Sequence, residues 1–392
     1  MQPEFIALRG ENVDETAAVR RVVDALRDGK SVVLPTETVY GLAALASNAA
    51  AVERLIAAKG RPAGRPLALA IAGADVLERF APNVPTLAKR LARRLWPGPL
   101  TLVLDASDPA SELARLPETS KKAILPEGKA GFRVPRNAFV LKVLEALDEP
   151  VVLTSANLSG EPPATSAADA KVGLDDRPDL IVDDGVAAFG EPSSVVEIVK
   201  TGKVGADGLD EGAAKVLREG AISAEKLRDF SAKVVLFVCT GNTCRSPMAE
   251  AIAKKEVARR CGIDAQTPEE LDAKLQERGI WIASAGVAAA DFSPASANAK
   301  TVVREDFGTS LDRHAAQSVT PSLVRVADLI LTMGRSHRAA LLAEFPDAAE
   351  RCELLRPDGG DVADPFGGSV EVYRRCAREI AAAVRERLPE IM

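Results

Sequence analysis

The chain has 392 residues, 47% of them hydrophobic and 27% charged, with a formal net charge of −6. That length exceeds what one hydrophobic core usually serves and predicts two domains, while the composition excludes a disordered chain. No apolar stretch reaches the ~18 residues of a membrane helix, and the opening MQPEFIALRGENVDE lacks the basic-then-apolar order of a signal peptide, so a cytoplasmic protein with no membrane partner is expected.

From Thr16 to Leu26 the pattern TAAVRRVVDAL has helical spacing, closed by Gly29 in the manner of a C-terminal cap. SVVLP reads as a strand up to Pro35, AAAVERLIAAK (49–59) as a helix and PLALAIAG (66–73) as a strand. TLAKRLARRL (86–95) is a helix and PLTLVLD (99–105) a strand. GFRVP (131–135) and VVLTSAN (151–157) are strands on either side of the helix NAFVLKVLEAL (137–147), and EIVKTGKVGADG (197–208) is hairpin-like. Such alternation defines an α/β class.

SAEKLRDFSAK (223–233) is short, polar and without strand character, which places a domain 1–227, a linker 228–232 and a domain 233–392. The second domain restarts with strand VVLFV (234–238), helix SPMAEAIAKKEVARRC (246–261), strand WIASAG (281–286) and helix ANAKTVVREDF (297–307). Strand LILTM (329–333), helix HRAALLAEF (337–345) and the closing helix VEVYRRCAREIAAAVRERL (370–388) complete it. These βα units predict a parallel sheet covered on both faces.

All five cysteines, Cys239, Cys244, Cys261, Cys352 and Cys376, fall in this second half. An odd, one-sided count argues against a disulfide framework and for thiol chemistry in a reducing compartment. Two of them sit in VCTGNTCRSP (238–247), directly after a strand, where ligands of open α/β sheets bind. Ser246 suits the helix N-cap and Pro247 the first helical position, so backbone N–H groups converge into a cradle for a phosphate-like dianion. A helix N-terminus beside an arginine is where a thiolate is favoured, so Cys239 and Arg245 suit attack on phosphorus and clamping of its oxygens. Zinc is not expected, because Cys-x4-Cys has no second pair and neither His314 nor His337 has ligand spacing. Both histidines read as surface or loop residues without a role, and Cys261 and Cys376 as small helix core. Asp364, in the Pro/Gly loop DVADPFGGSVEVY, is the candidate general acid.

FVCTGNTCRSPMAEA, SAG (284–286) and ADPFGGS resemble the low-molecular-weight protein tyrosine phosphatases over roughly residues 233–390, and among them the bacterial protein-arginine phosphatases. The resemblance implies a flavodoxin-like three-layer α/β/α fold with a four-stranded parallel sheet. It implies Cys239 as nucleophile, Arg245 as clamp, Asp364 as acid and a phosphate loop of Thr240, Gly241, Asn242, Thr243, Cys244 and Ser246. No cofactor is implied, and the substrate is a phosphoprotein. Cys244 would trap an oxidised Cys239 as a disulfide. Polar Thr243, where tyrosine enzymes carry an aliphatic residue, points to phosphoarginine. The rival for this half is arsenate reduction, for which no relay cysteine pair is apparent.

In the first half, PTETVYGL (35–42), KGRPAGRPL (59–67) and TSANLSGEPP (154–163) follow strands or a helix end, and could converge on one cleft. Between Lys59 and Val103, eight Lys or Arg stand against two Asp or Glu, which suits an anionic ligand. Lys and Arg would hold a polyphosphate, hydroxyls and an amide the ribose or base, with a magnesium ion accompanying it. Neither common nucleotide loop is present. An RNA-binding regulatory module is the competing reading, although 4% aromatic residues are few for base stacking.

KGRPAGRPL, LWPGPLTLVL (95–104), GFRVP, LTSANLSG (153–160), EPSSVVEI (191–198) and VLREGAI (216–222) together resemble the YrdC/Sua5 family, over residues 5–225. The resemblance implies a twisted mixed sheet with helices, and synthesis of threonylcarbamoyl-AMP from L-threonine, bicarbonate and ATP for the tRNA-modification machinery. It implies threonine at Thr36 and Tyr40, and ATP at Lys59, Arg61, Arg133, Ser155, Asn157, Ser193 and Arg218. Arg65 departs from the family's usual residue.

Overall fold

The structure is a computed structural model that describes residues 2–10, 13–62, 64–175, 177–205 and 208–392. Ala63, inside KGRPAGRPL, and residues 206–207 of the expected hairpin lie outside the described residues. The chain divides into two compact units, Met1–Leu227 and Arg228–Met392. Residues 228–232, read as a linker, end the helix Ala224–Ser231 and lead into a strand at Lys233.

In the first unit, strands β1 (Glu4–Ala7), β2 (Val32–Leu34), β3 (Gly41–Leu45), β4 (Ala68–Ala70), β5 (Leu100–Asp105), β6 (Lys129–Arg133), β7 (Val151–Ser155), β8 (Leu180–Asp183), β9 (Ser194–Val199) and β10 (Ala213–Arg218) form one sheet. Its order is β1-β8-β2-β3-β7-β4-β6-β5-β9-β10. Parallel pairs such as β4/β6 and β5/β9 alternate with antiparallel ones such as β3/β7 and β5/β6, so the sheet is mixed.

The helix Ala49–Lys59 starts where Asn48 Oδ1 accepts from Ala51 N at 3.1 Å, and it stops at Gly60, whose φ of 59° suits a residue without Cβ. Helix Glu15–Arg27 is capped by Asp14 and places Val22 and Leu26 with Val140 and Leu144 of helix Ala138–Leu147 against Leu34, Ala43 and Val182 of the sheet. β3 is a departure from the expected single strand: the chain turns after Pro35 and GLAAL returns antiparallel to β2, pairing Val32 with Ala43. β1 and β8 were also not anticipated, because each is short and lacks a clean period-2 pattern.

The second unit contains β11 (Lys233–Cys239), β12 (Ile280–Gly286), β13 (Leu329–Thr332) and β14 (Cys352–Leu354), ordered β12-β11-β13-β14 and parallel throughout. Alternate side chains of β11 go to opposite faces. Val235 and Phe237 join Met248, Ile252, Ile380 and Val384 on one side, while Leu236 and Val238 join Val324 and Leu341 on the other. Helices therefore cover both faces in three layers, the expected architecture. Among the described residues no helix is long and apolar enough to cross a membrane.

Candidate active sites

In the first unit the ends of β6 and β7, the start of β9 and the end of helix Ala49–Lys59 meet around a cavity of about 950 Å³. Lys59, Arg61, Arg65, Arg133, Lys215 and Arg218 line it, together with Ser155, Asn157 and Ser193. Lys59, the last residue of its helix, is 3% exposed. Its Nζ donates to Ser155 O at 2.6 Å, to Ser155 Oγ at 3.0 Å and to Asn157 O at 3.0 Å. Burial, and then the neighbouring Arg61, pull its pKa down to about 8.

Arg61 Nη2 donates to Pro66 O at 2.6 Å, and Arg218 Nη2 to Ser193 O at 2.7 Å. Ser193 Oγ lies 2.9 Å from Thr101 Oγ1, which ties this wall to β5. The Arg61 guanidinium is pushed below its ordinary pKa by burial and by Arg65 and Arg218, and that of Arg218 by burial and Arg133. Among the described residues, Lys59, Arg61 and Arg218 have no carboxylate partner, so mutually repelling cations line a concave wall. Such a wall is complementary to a polyanion.

Arg133, at the end of β6, is differently held. Its Nη2 donates to Glu37 Oε1 at 2.9 Å and Thr38 Oγ1 at 2.7 Å, and Glu37 Oε2 accepts from Arg136 N at 2.9 Å. Sequence reasoning passed over Glu37, although it stands inside PTETVYGL, and marked Thr38 there as a polar residue without giving it a role. Thr36 does not line the cavity and reaches it through Arg133 Nη2, 3.5 Å from its Oγ1. Tyr40 is fully buried: its hydroxyl donates to Gly185 O at 2.6 Å, and burial pushes its pKa up to about 12. Arg65 lines the cavity and presents its carbonyl to Arg61 Nε at 3.1 Å.

The cavity wall includes the carboxylates Glu127 and Glu197, and Glu197 Oε1 accepts from Lys129 Nζ at 2.5 Å. Among the described residues no three His, Cys, Asp or Glu side chains gather as metal ligands. A magnesium ion there would rest mainly on the nucleotide's phosphates, with one or two carboxylates at most from the protein.

In the second unit, residues 240–244 join β11 to the helix Arg245–Cys261. Cys239 is 3% exposed, with Sγ 3.0 Å from Ser246 Oγ and 3.3 Å from the N–H of Asn242. Ser246 is not the expected N-cap: the helix begins at Arg245, and this buried hydroxyl turns to the sulfur instead. Asn242 holds a φ of 54°, in the left-handed region. Its Nδ2 donates to Ser246 Oγ and to Ser284 Oγ, each at 2.9 Å, and its Oδ1 accepts from Gln317 N at 2.9 Å. Gly286, ending β12, lies so close behind that a Cβ there would stand 2.4 Å from Thr240 O.

Arg245 Nη2 lies 2.5 Å from Asp364 Oδ2, and Nη1 donates to Val362 O at 3.3 Å. Its Nε is buried without a partner. Cys244 Sγ stands 3.2 Å from the Tyr373 hydroxyl and 3.5 Å from Ser296 Oγ. Thr243 carries its hydroxyl 3.7 Å from Cys244 Sγ, and its carbonyl accepts from Ser296 N at 2.9 Å.

The two histidines correct the sequence reading. His314 Nε2 sits 2.7 Å from Asn242 O, and His337, 6% exposed, has Nε2 2.9 Å from Thr240 Oγ1. The segment that follows helix Ala297–Phe307 carries His314 there and helix Arg335–Glu344 carries His337, so no local spacing marked them. Cys376 is core, as expected, whereas Cys261 ends its helix half-buried.

These geometries define an α/β protein with two separate anion-handling sites, one a cationic cavity and one a cysteine-based phosphate loop. The chain belongs to the Sua5_yciO_yrdC family (Telomere recombination), which matches residues 24–220, and to the low molecular weight phosphotyrosine protein phosphatase family, which matches residues 234–391. It is 38% identical over 182 residues to a threonylcarbamoyl-AMP synthase of Pyrococcus abyssi, covering 46% of this chain and 51% of the relative. To the synthase of Bacillus subtilis it is 34% identical, covering 49% and 53%, so the chain spans about half the length of these relatives. A protein-arginine-phosphatase of Geobacillus stearothermophilus is 35% identical over 160 residues, 40% of this chain and 93% of the relative.

Proposed function

We propose that the chain is a bifunctional enzyme: a threonylcarbamoyl-AMP synthase in the first unit and a cysteine-dependent protein phosphatase in the second. For the synthase the supporting observation is the set of cavity cations without carboxylate partners. Bicarbonate and the amine of L-threonine condense to a carbamate with loss of water. A carbamate oxygen then attacks the α-phosphorus of ATP, forming a P–O bond as pyrophosphate leaves. Lys59, Arg61 and Arg218 neutralise the phosphates, Arg133, Ser155, Asn157 and Ser193 fix the nucleotide, and Thr36 borders the threonine. Tyr40 acts from behind, holding the chain at Gly185. Magnesium arrives with the nucleotide's phosphates and is assigned no protein ligand. The adenylate passes to the machinery that threonylcarbamoylates tRNA.

Pyrophosphate release that requires ATP, threonine and bicarbonate together, and that Lys59→Ala abolishes, is the expected result. Release independent of threonine sinks the reading. An RNA-binding module is disfavoured, because these cations converge on a cavity and do not spread over a face.

For the phosphatase the observation is Cys239 Sγ held between the Asn242 N–H and Ser246 Oγ. The sulfur attacks phosphorus and breaks the P–N bond of phosphoarginine or the P–O bond of phosphotyrosine. Asp364 gives its proton to the leaving atom, and Arg245, whose Nε has no partner, turns to the phosphoryl oxygens. Water then attacks the phosphocysteine, Asp364 takes its proton, and phosphate and the sulfur anion separate. Phosphoarginine is the preferred substrate. Turnover of a phosphoarginine peptide by the wild type and none by Cys239→Ser is the test, and activity that survives the substitution refutes the role of Cys239.

A further inference from the structure

His337 is a buried imidazole that the chemistry above leaves unused, yet it stands one hydroxyl away from the phosphate clamp. It lies in the first turn of helix Arg335–Glu344, where its backbone N donates to Gly334 O at 3.1 Å. Its Nε2 meets Thr240 Oγ1 at 2.9 Å, and that oxygen accepts from Arg245 Nη2 at 3.5 Å. With one lone pair taken by the guanidinium, Thr240 has its own hydrogen free to give to Nε2.

The ring is then the tautomer protonated at Nδ1, and Nδ1 is buried with no partner. Burial and the neighbouring Arg245 push its pKa below the ordinary value, against the pull of Asp364 and Asp361, which keeps the ring neutral at neutral pH. A buried polar atom without a partner costs ~1 to 3 kcal/mol, a penalty that an apolar side chain of similar size would not incur. The imidazole is thus a poor choice for packing alone and a suitable one for orienting a hydroxyl.

We propose that His337 is a positioning residue of the phosphatase reaction: it orients the Thr240 hydroxyl and, through it, fixes the Arg245 guanidinium for phosphate. The inference rests on the phosphatase reading above. Arg245 Nη2 has two neighbours, the Asp364 carboxylate and Thr240 Oγ1. When phosphate arrives and Asp364 is needed for the leaving group, Thr240 is the neutral anchor that stays. Without the imidazole that hydroxyl is free to rotate, and the guanidinium loses its lateral restraint.

The test is turnover of p-nitrophenyl phosphate by the full chain. His337→Leu lowers kcat/KM by ~10-fold or more, because small misplacements of a clamp are costly. His337→Gln, whose amide reaches the place of Nε2, keeps most of the activity, and the shorter His337→Asn does not. Thr240→Val combined with His337→Leu is no worse than Thr240→Val alone, since both act through one contact. Wild-type turnover in His337→Leu, equal damage from Gln and Leu, or additive losses would each overturn the role. Should His337→Leu fail to fold, the Gln and Asn comparison decides. Cys239→Ser is run beside them: if it matches the wild type, the phosphatase reading itself is lost, whereas if it is dead and His337→Leu is fully active, only the positioning role is lost.

Discussion

Arg245 and Asp364 form an ion pair, Nη2 to Oδ2 at 2.5 Å, so the group that would clamp phosphate and the group that would protonate the leaving atom hold each other. The Asp364 side chain is 49% exposed and its partner 9%, which places the pair at the edge of the site, carboxylate outward. On the proposed mechanism substrate separates them, and the pair competes with phosphate for the guanidinium.

Asp364→Asn therefore has two opposite effects. It removes the proton donor, and kcat on a phosphoarginine peptide falls by ~100-fold or more, within the usual range for a general acid. It also frees Arg245, so inorganic phosphate inhibits the variant at a lower concentration than the wild type. Parallel measurement of kcat and the phosphate inhibition constant checks both, and weaker inhibition would remove the competition.

Lys59 sets a pH signature on the first unit. Its pKa is about 8 when folded against an ordinary lysine value of 10.5, so between those values the unfolded chain binds more protons and stability rises with pH. At neutral pH the buried charge costs about 3 kcal/mol, an order-of-magnitude figure from ~1.4 kcal/mol per pKa unit. In the unfolding transition that ATP shifts, Lys59→Met flattens the rise from pH 8 to 10.5, and an unchanged slope in the variant contradicts the assignment.

Thr243 is the proposed selector of the leaving group. Thr243→Ile replaces a hydroxyl by an apolar branch beside Cys244 and Ser296, and it lowers the ratio of phosphoarginine to phosphotyrosine turnover by ~10-fold or more. The ratio of kcat/KM on paired peptides reads this directly, and a constant ratio removes the claim.

Gly286→Ala tests how closely β12 backs the phosphate loop. A Cβ there stands 2.4 Å from Thr240 O and 2.9 Å from Asn242 N, both backbone atoms that cannot rotate away. The loop must shift, with a stability loss of ~1 to 3 kcal/mol, as for overpacking elsewhere, and a larger loss of kcat than of substrate affinity. Denaturant midpoints with steady-state kinetics on the same variant check it.

Helices were the most legible part of the chain, because caps such as Asn48 and Gly60 bracket a 3.6-residue period that needs no distant partner. The helix Ala49–Lys59 could be read to the residue. Strands such as β8 and β1 were not, since four residues paired across more than 170 positions carry no local signature. The same division holds at the sites. Cys239, Asn242, Arg245 and Ser246 are neighbours in sequence, and their association could be read. His337, Gln317, Ser284 and Glu37 join through tertiary folding alone, and even inside the motifs SAG and PTETVYGL nothing local gave Ser284 or Glu37 a role. Ser246 illustrates a third case: Ser-Pro is a sound helix-start signal, yet the sulfur outcompetes the backbone amide for that hydroxyl.

The burial of Cys239, next to the exposed Thr240, makes reach a criterion for entry. Phosphorus must reach a sulfur that is 3% exposed, and a one-carbon stem, as on serine, holds it nearer its own main chain than longer side chains do. A guanidinium or a phenol carries the group far enough from its peptide. On the proposed phosphatase reading, long phosphorylated side chains are therefore expected to turn over in preference to phosphoserine.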